Sequence, residues 1–349
     1  MNRGVDLVLS ELHERDATST HARLLRDILA ADGHMVRFVV ERTMVADEQV
    51  LLLDRWKADA DLTILQHSIG SLVASEIAKR RVPVVVNYHN ITPLEFVEPW
   101  EPEQIEGLRW GRQQLWELRP LAHAAICDSD YNARELREVG YEDVSVSPVL
   151  FDGLEREGES PPAFAGITLV FVGRLSPNKC QQDLVGVLAA LDALGIDARL
   201  ALLGGGSSDS YRDALGAFAA RLGVAERVVF GGSVSERELV GWYEAADVFV
   251  STSEHEGFGV PLVEAMAFGA PVVAFGAAAV PETAGGAALV LADKSPAVVA
   301  EAIARVVNDS QVRASLIERG RARAAELSGP QAADRMRSVL EPLLAGAAR

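Results

Sequence analysis

Cysteine is nearly absent: Cys127 and Cys180 are the only two in 349 residues. A disulfide framework is thereby excluded, and the usage fits a chain kept in a reducing cytoplasm. Positive charge is also scarce, with 33 Lys and Arg against 50 Asp and Glu and a net charge of −17. The deficit is shared, since residues 1–150 carry 16 basic and 25 acidic side chains and residues 151–349 carry 17 and 25. So acidic a balance weighs against nucleic acid and an anionic membrane surface as partners. A long uninterrupted apolar run is missing too. The most apolar long window, residues 271–292, is broken by Pro281, Glu282, Gly285 and Gly286, which makes it core and not a membrane span. The first residues show neither the apolar centre nor the cleavage pattern of a signal peptide. Low-complexity tracts and internal repeats are not found.

What remains is an ordinary globular composition, 49% hydrophobic and 24% charged, in a chain long enough to favour two domains. Apolar runs rich in β-branched residues recur at Val5–Leu9, Met35–Val40, Leu62–Leu65, Val82–Tyr88 and Ala124–Cys127. Helical patterns lie between and after them at His21–Ala31, Asp47–Trp56, Leu72–Lys79, Glu103–Leu118 and Asn132–Val139. Strand alternating with helix predicts a parallel, doubly wound α/β sheet, whose ligands bind beyond the carboxyl ends of the strands. Residues 148–163, charged and aperiodic with Gly and Pro, read as a domain linker. A second series follows at Thr168–Val172, Arg199–Leu203, Val228–Phe230, Val248–Val250 and Val272–Phe275. Helices are expected from about Pro296, through Gln311–Leu327 and Gln331–Leu344.

Residues 251–274 hold the densest chemistry. The strand Val248–Val250 runs into a polar loop with Gly257 and Gly259, then a short helix, then the strand Val272–Phe275, which is a βαβ unit. Pro261 suits the first helical turn and Gly269 the left-handed end. The helix start, with its unpaired N–H groups and positive dipole end, suits an anion such as a phosphate. Glu256 and Glu264 add two carboxylates, which accept hydrogen bonds from sugar hydroxyls. Beyond Thr168–Val172, the loop Gly173-Arg174-Leu175 to Lys179 offers a planar donor fork and a point charge. Together they can offset a diphosphate and the charge that develops as it leaves. Glycines at 204–206 and 231–232 end the next two strands, but no G-x-G-x-x-G opens this half.

In the first half, His89, Asn90 and Thr92 follow a strand, and Asp16, Thr18 and Ser19 read as helix caps or polar acceptor contacts. Asp128-Ser129-Asp130 imitates a metal–nucleotide motif, yet it stands between a strand and a helix, where capping residues are expected. Trp110 and Trp116 can stack on a sugar ring, but they recur with Leu108, Leu115 and Leu118 at the spacing of buried core.

The run Glu256-Gly-Phe-Gly-Val-Pro-Leu-Val-Glu264, two glutamates with seven residues between them, resembles the donor site of retaining GT-B glycosyltransferases of group 1, family 4. Gly173-Arg174-Leu175 with Lys179 resembles that family's diphosphate clamp. The resemblance implies an α/β GT-B fold of two doubly wound Rossmann-like domains facing across a cleft. The acceptor-side domain is expected at 1–150, the donor-binding domain at 164–330, and a last helix at 331–349 crossing back to the first. The implied reaction moves a sugar from a nucleotide diphosphate donor to an acceptor hydroxyl or amine with retention. A UDP-sugar is favoured and GDP-mannose stands second. Glu256 and the amides of Gly257, Phe258 and Gly259 would hold the sugar, and Glu264 the ribose. Gly173, Arg174 and Lys179 would hold the diphosphate, with Gly204 and the backbone near Val234 beside the nucleotide. His89 matches the family's active-site histidine, so the implied catalytic set is His89, Glu256, Arg174 and Lys179, with Asp16, Thr18, Asn90 and Thr92 on the acceptor side. Neither a metal nor a cofactor is expected. The acceptor, whether small molecule, polysaccharide or lipid-linked sugar, leaves no motif. Two departures stand out: residues 10–20 contain no glycine where relatives have a glycine-rich turn, and Cys180 stands where they have glycine. A non-catalytic partner protein that binds nucleotide sugars and a nucleotide-sugar epimerase of the same fold stay open as alternatives.

Overall fold

The computed structural model describes residues 2–14, 16–43, 45, 50–98, 100–151, 157–206 and 208–346. The chain divides into two compact units, each built round one parallel sheet. Unit 1 comprises Met1–Leu94, Glu103–Asp152 and Ser328–Arg349. It contains β1 (Gly4–Leu12), α1 (Ala17–Ala31), β2 (Met35–Thr43), β3 (Val50–Leu52), β4 (Leu62–His67), α2 (Leu72–Arg80), β5 (Val84–Tyr88), α3 (Ile105–Leu118), β6 (Ala122–Cys127), α4 (Asp130–Val139) and β7 (Val144–Val146). The strand order is β3-β2-β1-β4-β5-β6-β7. Every residue of β4 and β5 is buried, as expected for central strands covered by helices on both faces.

Two expectations are corrected in this sheet. The helix expected over Asp47–Trp56 is instead β3, followed by a single turn of 3-10 helix at Leu53–Arg55; residues 46–49 lie outside the described residues. Val50, Leu51 and Leu52 pair in parallel with Phe38, Val39 and Val40, and so satisfy backbone groups along that edge of β2. β1 also runs three residues past its expected end, because Glu11 and Leu12 still pair with Arg42 and Thr43.

Unit 2 comprises Glu95–Pro102 and Gly153–Leu327. Its elements are β8 (Ile167–Val172), α5 (Gln181–Ala193), β9 (Ala198–Leu203), α6 (Asp209–Arg221), β10 (Val228–Gly232), α7 (Glu236–Ala245), β11 (Val248–Ser251), α8 (Val260–Phe268), β12 (Val272–Phe275), α9 (Val280–Ala284), β13 (Leu289–Leu291), α10 (Pro296–Asn308) and α11 (Ser310–Leu327). The order β10-β9-β8-β11-β12-β13 reverses direction between β8 and β11. At such a switch point the connections leave towards opposite faces, and a crevice opens outside the carboxyl ends. The loops after β8 and β11, which carry the cationic and glutamate motifs, are therefore neighbours.

The short stretch Glu95–Pro102 joins unit 2 although it precedes the linker in sequence. Trp100 packs on the core of that unit and edge-on to Tyr211, with ring centroids 5.4 Å apart, and Phe96 lies 5.7 Å from His255. Membership here follows apolar burial and not chain order. The last helix, α12 (Gly329–Gly346), belongs to unit 1. Ala332, Met336 and Leu340, four residues apart, form one buried stripe in a cluster with Val5, Leu25 and Leu29. On α3, Leu108, Leu115 and Leu118 are buried, but Trp116 is 56% exposed with the Arg119 guanidinium over its ring. One residue is a rotation of about 100° on a helix, enough to carry Trp116 off the face of Leu115. Among the described residues no helix is long and apolar enough to cross a membrane.

Candidate active site

In unit 2 the two motif loops are spliced together by hydrogen bonds. The Glu254 N–H donates to the Asn178 carbonyl at 2.9 Å, Asn178 Nδ2 to the His255 carbonyl at 3.3 Å, and Thr252 Oγ1 to the Cys180 carbonyl at 3.0 Å. Lys294, beyond β13, bridges Asp183 at 2.6 Å and Glu254 at 2.8 Å. Held in this frame, Lys179 Nζ meets Glu256 Oε2 at 2.7 Å, with the two side chains only 19% and 13% exposed. Arg174 is more open; among the described residues its nearest carboxylate is that of the buried Glu101, at 4.0 Å. Gln181 Nε2 fixes the Arg174 carbonyl at 2.9 Å.

The glutamate loop ends as its residues dictate. Gly259 takes φ +90° and caps α8 without a side chain, Pro261 lies in the first turn, and Gly269 closes the helix at φ +81°. Thr283 Oγ1 donates to the Phe258 carbonyl at 2.6 Å and the Ala279 N–H to the Glu256 carbonyl at 3.2 Å, so these carbonyls are committed to α9 and its cap. On the second turn of α8, Glu264 Oε2 accepts from the Tyr243 hydroxyl at 2.7 Å, and burial holds the Glu264 carboxyl above the usual carboxylate range. These loops and α8 carry Lys179, Arg174, Glu256 and Glu264, together with a helix start whose cap brings no side chain of its own.

Gly173 and Gly204 serve the sheet directly. A Cβ on Gly204, at φ +132°, would stand 2.3 Å from the Gly173 carbonyl oxygen. The Gly173 N–H donates to Leu203 and the Gly204 N–H to Gly232, both at 2.8 Å. The two amides are thus spent between strand ends. Val234 is half-buried beyond β10.

Cys180 explains one departure from the family pattern. It caps α5 at φ +53°, a left-handed conformation that glycine adopts without strain, and its thiol is buried against the Pro177 carbonyl. Burial pushes the thiol pKa up, so it is not poised as a thiolate. Cys180→Gly is expected to be at least as stable as Cys180→Ala, since relief of about 1 kcal/mol of left-handed strain offsets the loss of one buried carbon. Urea denaturation of the two variants checks this, and a glycine variant less stable by 1 kcal/mol or more would contradict it.

In unit 1 the sequence candidates fall into three groups. Asp16 caps α1, its Oδ1 accepting from the Ser19 N–H at 2.9 Å, while Ser19 Oγ accepts from the His13 N–H at 3.0 Å and Arg23 donates to the His13 carbonyl. Side chains thereby close the glycine-free turn, and Thr18 sits in the first turn of the helix. Asn90, at φ +71°, donates to Asn132 at 2.8 Å and to Glu135 at 3.3 Å. Glu135 also receives Tyr88 at 2.6 Å and Arg112 at 2.5 Å. The Asn90 amide therefore shapes its loop, and Thr92 follows half-buried in the same loop. Glu135 and Arg112 were invisible in the sequence because they sit on α4 and α3 at positions that look like ordinary solvated helix charges.

His89 is the third. Strand alternation puts Gln66, Asn87 and His89 on one sheet face, since Gln66 pairs with Asn87 across β4 and β5. Asp128 follows Cys127, the β6 partner of Tyr88. His89 Nδ1 lies 3.0 Å from Asp128 Oδ2, Nε2 lies 2.7 Å from the Gln66 amide, and the ring is 4.8 Å from that of His21. The Leu150 N–H donates to His21 Nδ1 at 2.9 Å, and burial drives the His21 pKa well below the ordinary value. Asn87 Nδ2 lies 2.8 Å from His21 Nε2 and donates to Gln66 Oε1 at 3.0 Å, and that same oxygen faces His89 Nε2. The Asp128 carboxylate accepts from His89 Nδ1 on the other side of the ring. The capping expected of this stretch is made by Ser129, whose hydroxyl caps α4 through the Asn132 N–H at 3.2 Å. Only the adjacency of β5 and β6 shows that the Asp128 carboxylate orients His89.

Unit 2 is doubly wound, with cations and paired glutamates at its switch point. Residues 162–323 match the family described as Glycosyl transferases group 1, and the two parallel-sheet units have the GT-B fold. It is 34% identical over 168 residues to a D-inositol 3-phosphate glycosyltransferase of Mycobacterium sp. (strain JLS), covering 44% of this chain and 37% of the relative. The aligned stretches span about a third of the first curated relatives it matches. Among solved structures, it superposes with TM-score 0.79 and 19% identity on a sucrose-phosphate synthase from Thermosynechococcus elongatus, over 99% of this chain and 100% of that one. With TM-score 0.75 and 18% identity it superposes on Anabaena HepE in complex with UDP-glucose, over 98% and 99% of the two chains.

Proposed function

We propose that the protein is a retaining, family 4 glycosyltransferase that moves a sugar from a nucleoside diphosphate donor, a UDP-sugar first and GDP-mannose second, to an acceptor hydroxyl or amine. The observation that carries this reading is the meeting of Lys179, Glu256 and the start of α8 at the β8–β11 switch point. The donor's diphosphate takes Lys179 and Arg174, its sugar hydroxyls take Glu256 and the loop amides at 257–259, and its ribose takes Glu264. The UDP-glucose held by the HepE neighbour supports the choice of donor. The anomeric C–O bond to the diphosphate breaks while the acceptor oxygen bonds to the same face, and the departing phosphate oxygen receives the acceptor proton. Lys179, Arg174 and the α8 dipole stabilise the negative charge as it develops. Glu256 is paired with Lys179 and serves as a ligand for hydroxyls, not as a nucleophile. His89, with both ring nitrogens engaged inside unit 1, is assigned no proton transfer.

Nuclear magnetic resonance of the fresh product, with the reaction run in EDTA, tests the reading. An α-linked donor is expected to give an α-linked product at an undiminished rate. A β anomeric coupling would overturn retention, a strict need for added magnesium or manganese would overturn metal independence, and donor binding without turnover would favour a non-catalytic binding protein.

A further inference from the structure

The carboxylate assigned to the ribose does not stand alone. Tyr243, on α7, is buried, and its hydroxyl is bonded at 2.7 Å to Glu264 Oε2 on α8. The Tyr243 ring is locked in place: it stacks on Phe268 with centroids 5.8 Å apart and planes 2° from parallel, and leans on Phe249 at 6.2 Å. With so little freedom, the hydroxyl has one direction in which to point. Burial alone would favour the protonated carboxylic acid at Glu264, which is a poor acceptor for two sugar hydroxyls, and the exposed Glu236 on α7 adds to that tendency. The Tyr243 proton opposes it. Burial and the adjacent carboxylate also keep the phenol itself protonated, so it remains a donor.

We propose that Tyr243 is a positioning residue for ribose recognition: by binding Oε2 it holds the Glu264 carboxyl turned so that Oε1 meets the ribose hydroxyls. This rests on the reading of Glu264 given above. A tyrosine at this place has no motif in the sequence, because it lies twenty-one residues before Glu264 in an unremarkable helix.

The test compares UDP with 2′-deoxy-UDP by titration calorimetry on the full chain, with GDP and 2′-deoxy-GDP as a second pair. The unsubstituted protein is expected to prefer the ribonucleotide by about tenfold, the worth of one charge-assisted hydrogen bond. Tyr243→Phe should weaken ribonucleotide binding by about that factor, leave the deoxynucleotide unaffected, and bring the preference within about twofold. A packing role would instead weaken both nucleotides together. Glu264→Gln should lose the preference too, and adding Tyr243→Phe to it should cost nothing further. If Tyr243→Phe keeps the full preference, or if the two substitutions add, the proposal falls while Glu264 keeps its assignment. If the unsubstituted protein shows no ribose preference, the Glu264 assignment itself is overturned and the proposal with it.

Discussion

Lys179→Ala is expected to weaken nucleoside diphosphate binding by about ten- to a hundredfold and to lower turnover at least as much. Two losses combine. One is the charge-assisted contact to the donor, worth about 1.5–3 kcal/mol. The other arises before the donor arrives, because Glu256 loses the ammonium 2.7 Å away while its side chain stays 13% exposed. An unpaired carboxylate largely withdrawn from water disfavours the loop geometry that receives the sugar. Arg174→Ala should cost less, since its guanidinium is 45% exposed and screened by solvent. Calorimetry with UDP and with uridine separates the causes: the Lys179 loss should fall on the diphosphate and spare the nucleoside. Equal UDP affinities for the variants and the parent would remove the clamp.

Acidification is expected to destabilise unit 1 well above the range where ordinary carboxylates titrate. His67 is fully buried on β4, donating Nε2–H to the Gly111 carbonyl at 2.9 Å, while Nδ1 has no hydrogen-bond partner among the described residues. Burial, aided by the nearby His89, lowers its pKa to about 4. His21 is depressed by the same cause. A depressed histidine is neutral when folded and takes up its proton only on unfolding. Its stability contribution is complete above the unfolded pKa of about 6.5 and is lost as pH falls towards the folded value, at about 1.4 kcal/mol per pH unit. For His67 alone this amounts to about 3 kcal/mol by pH 4. Glu41, raised by burial, binds its proton more readily when folded and acts in the opposite sense. The check is therefore a comparison of urea midpoints between pH 7.5 and 5 for the parent and His67→Asn. The variant should lose about half of the acid slope, and a parent whose stability is flat over that range would refute the assignment.

Much of the glutamate loop and α8 was legible because its determinants are local. Pro261 and Gly269 fix where α8 starts and stops, and Gly259 is the residue able to take φ +90° at the cap. The seven-residue gap between Glu256 and Glu264 survives any change of surroundings, since it is set by one loop and two helical turns. Cys180 was visible as an oddity, but its reason, a left-handed cap, needed a backbone angle. The helix expected at Asp47–Trp56 failed for the complementary reason. Over so short an apolar stretch, helical and strand spacing are hard to tell apart, and the open edge of β2 decided the matter.

By itself, then, the sequence determined the alternation of strand and helix, the turn chemistry and the spacing of the glutamates, all of which depend on residues within a few positions of one another. The tertiary structure alone decided the pairing of Lys179 with Glu256, Tyr243 with Glu264, and His89 with Asp128 and Gln66. Those partners lie 77, 21, 39 and 23 residues apart. What joins them is strand order, which brings β8 beside β11 and β5 beside β4 and β6, together with the packing of α7 on α8. Strand order is chosen by burial summed over the whole sheet, and no single stretch of chain records that sum.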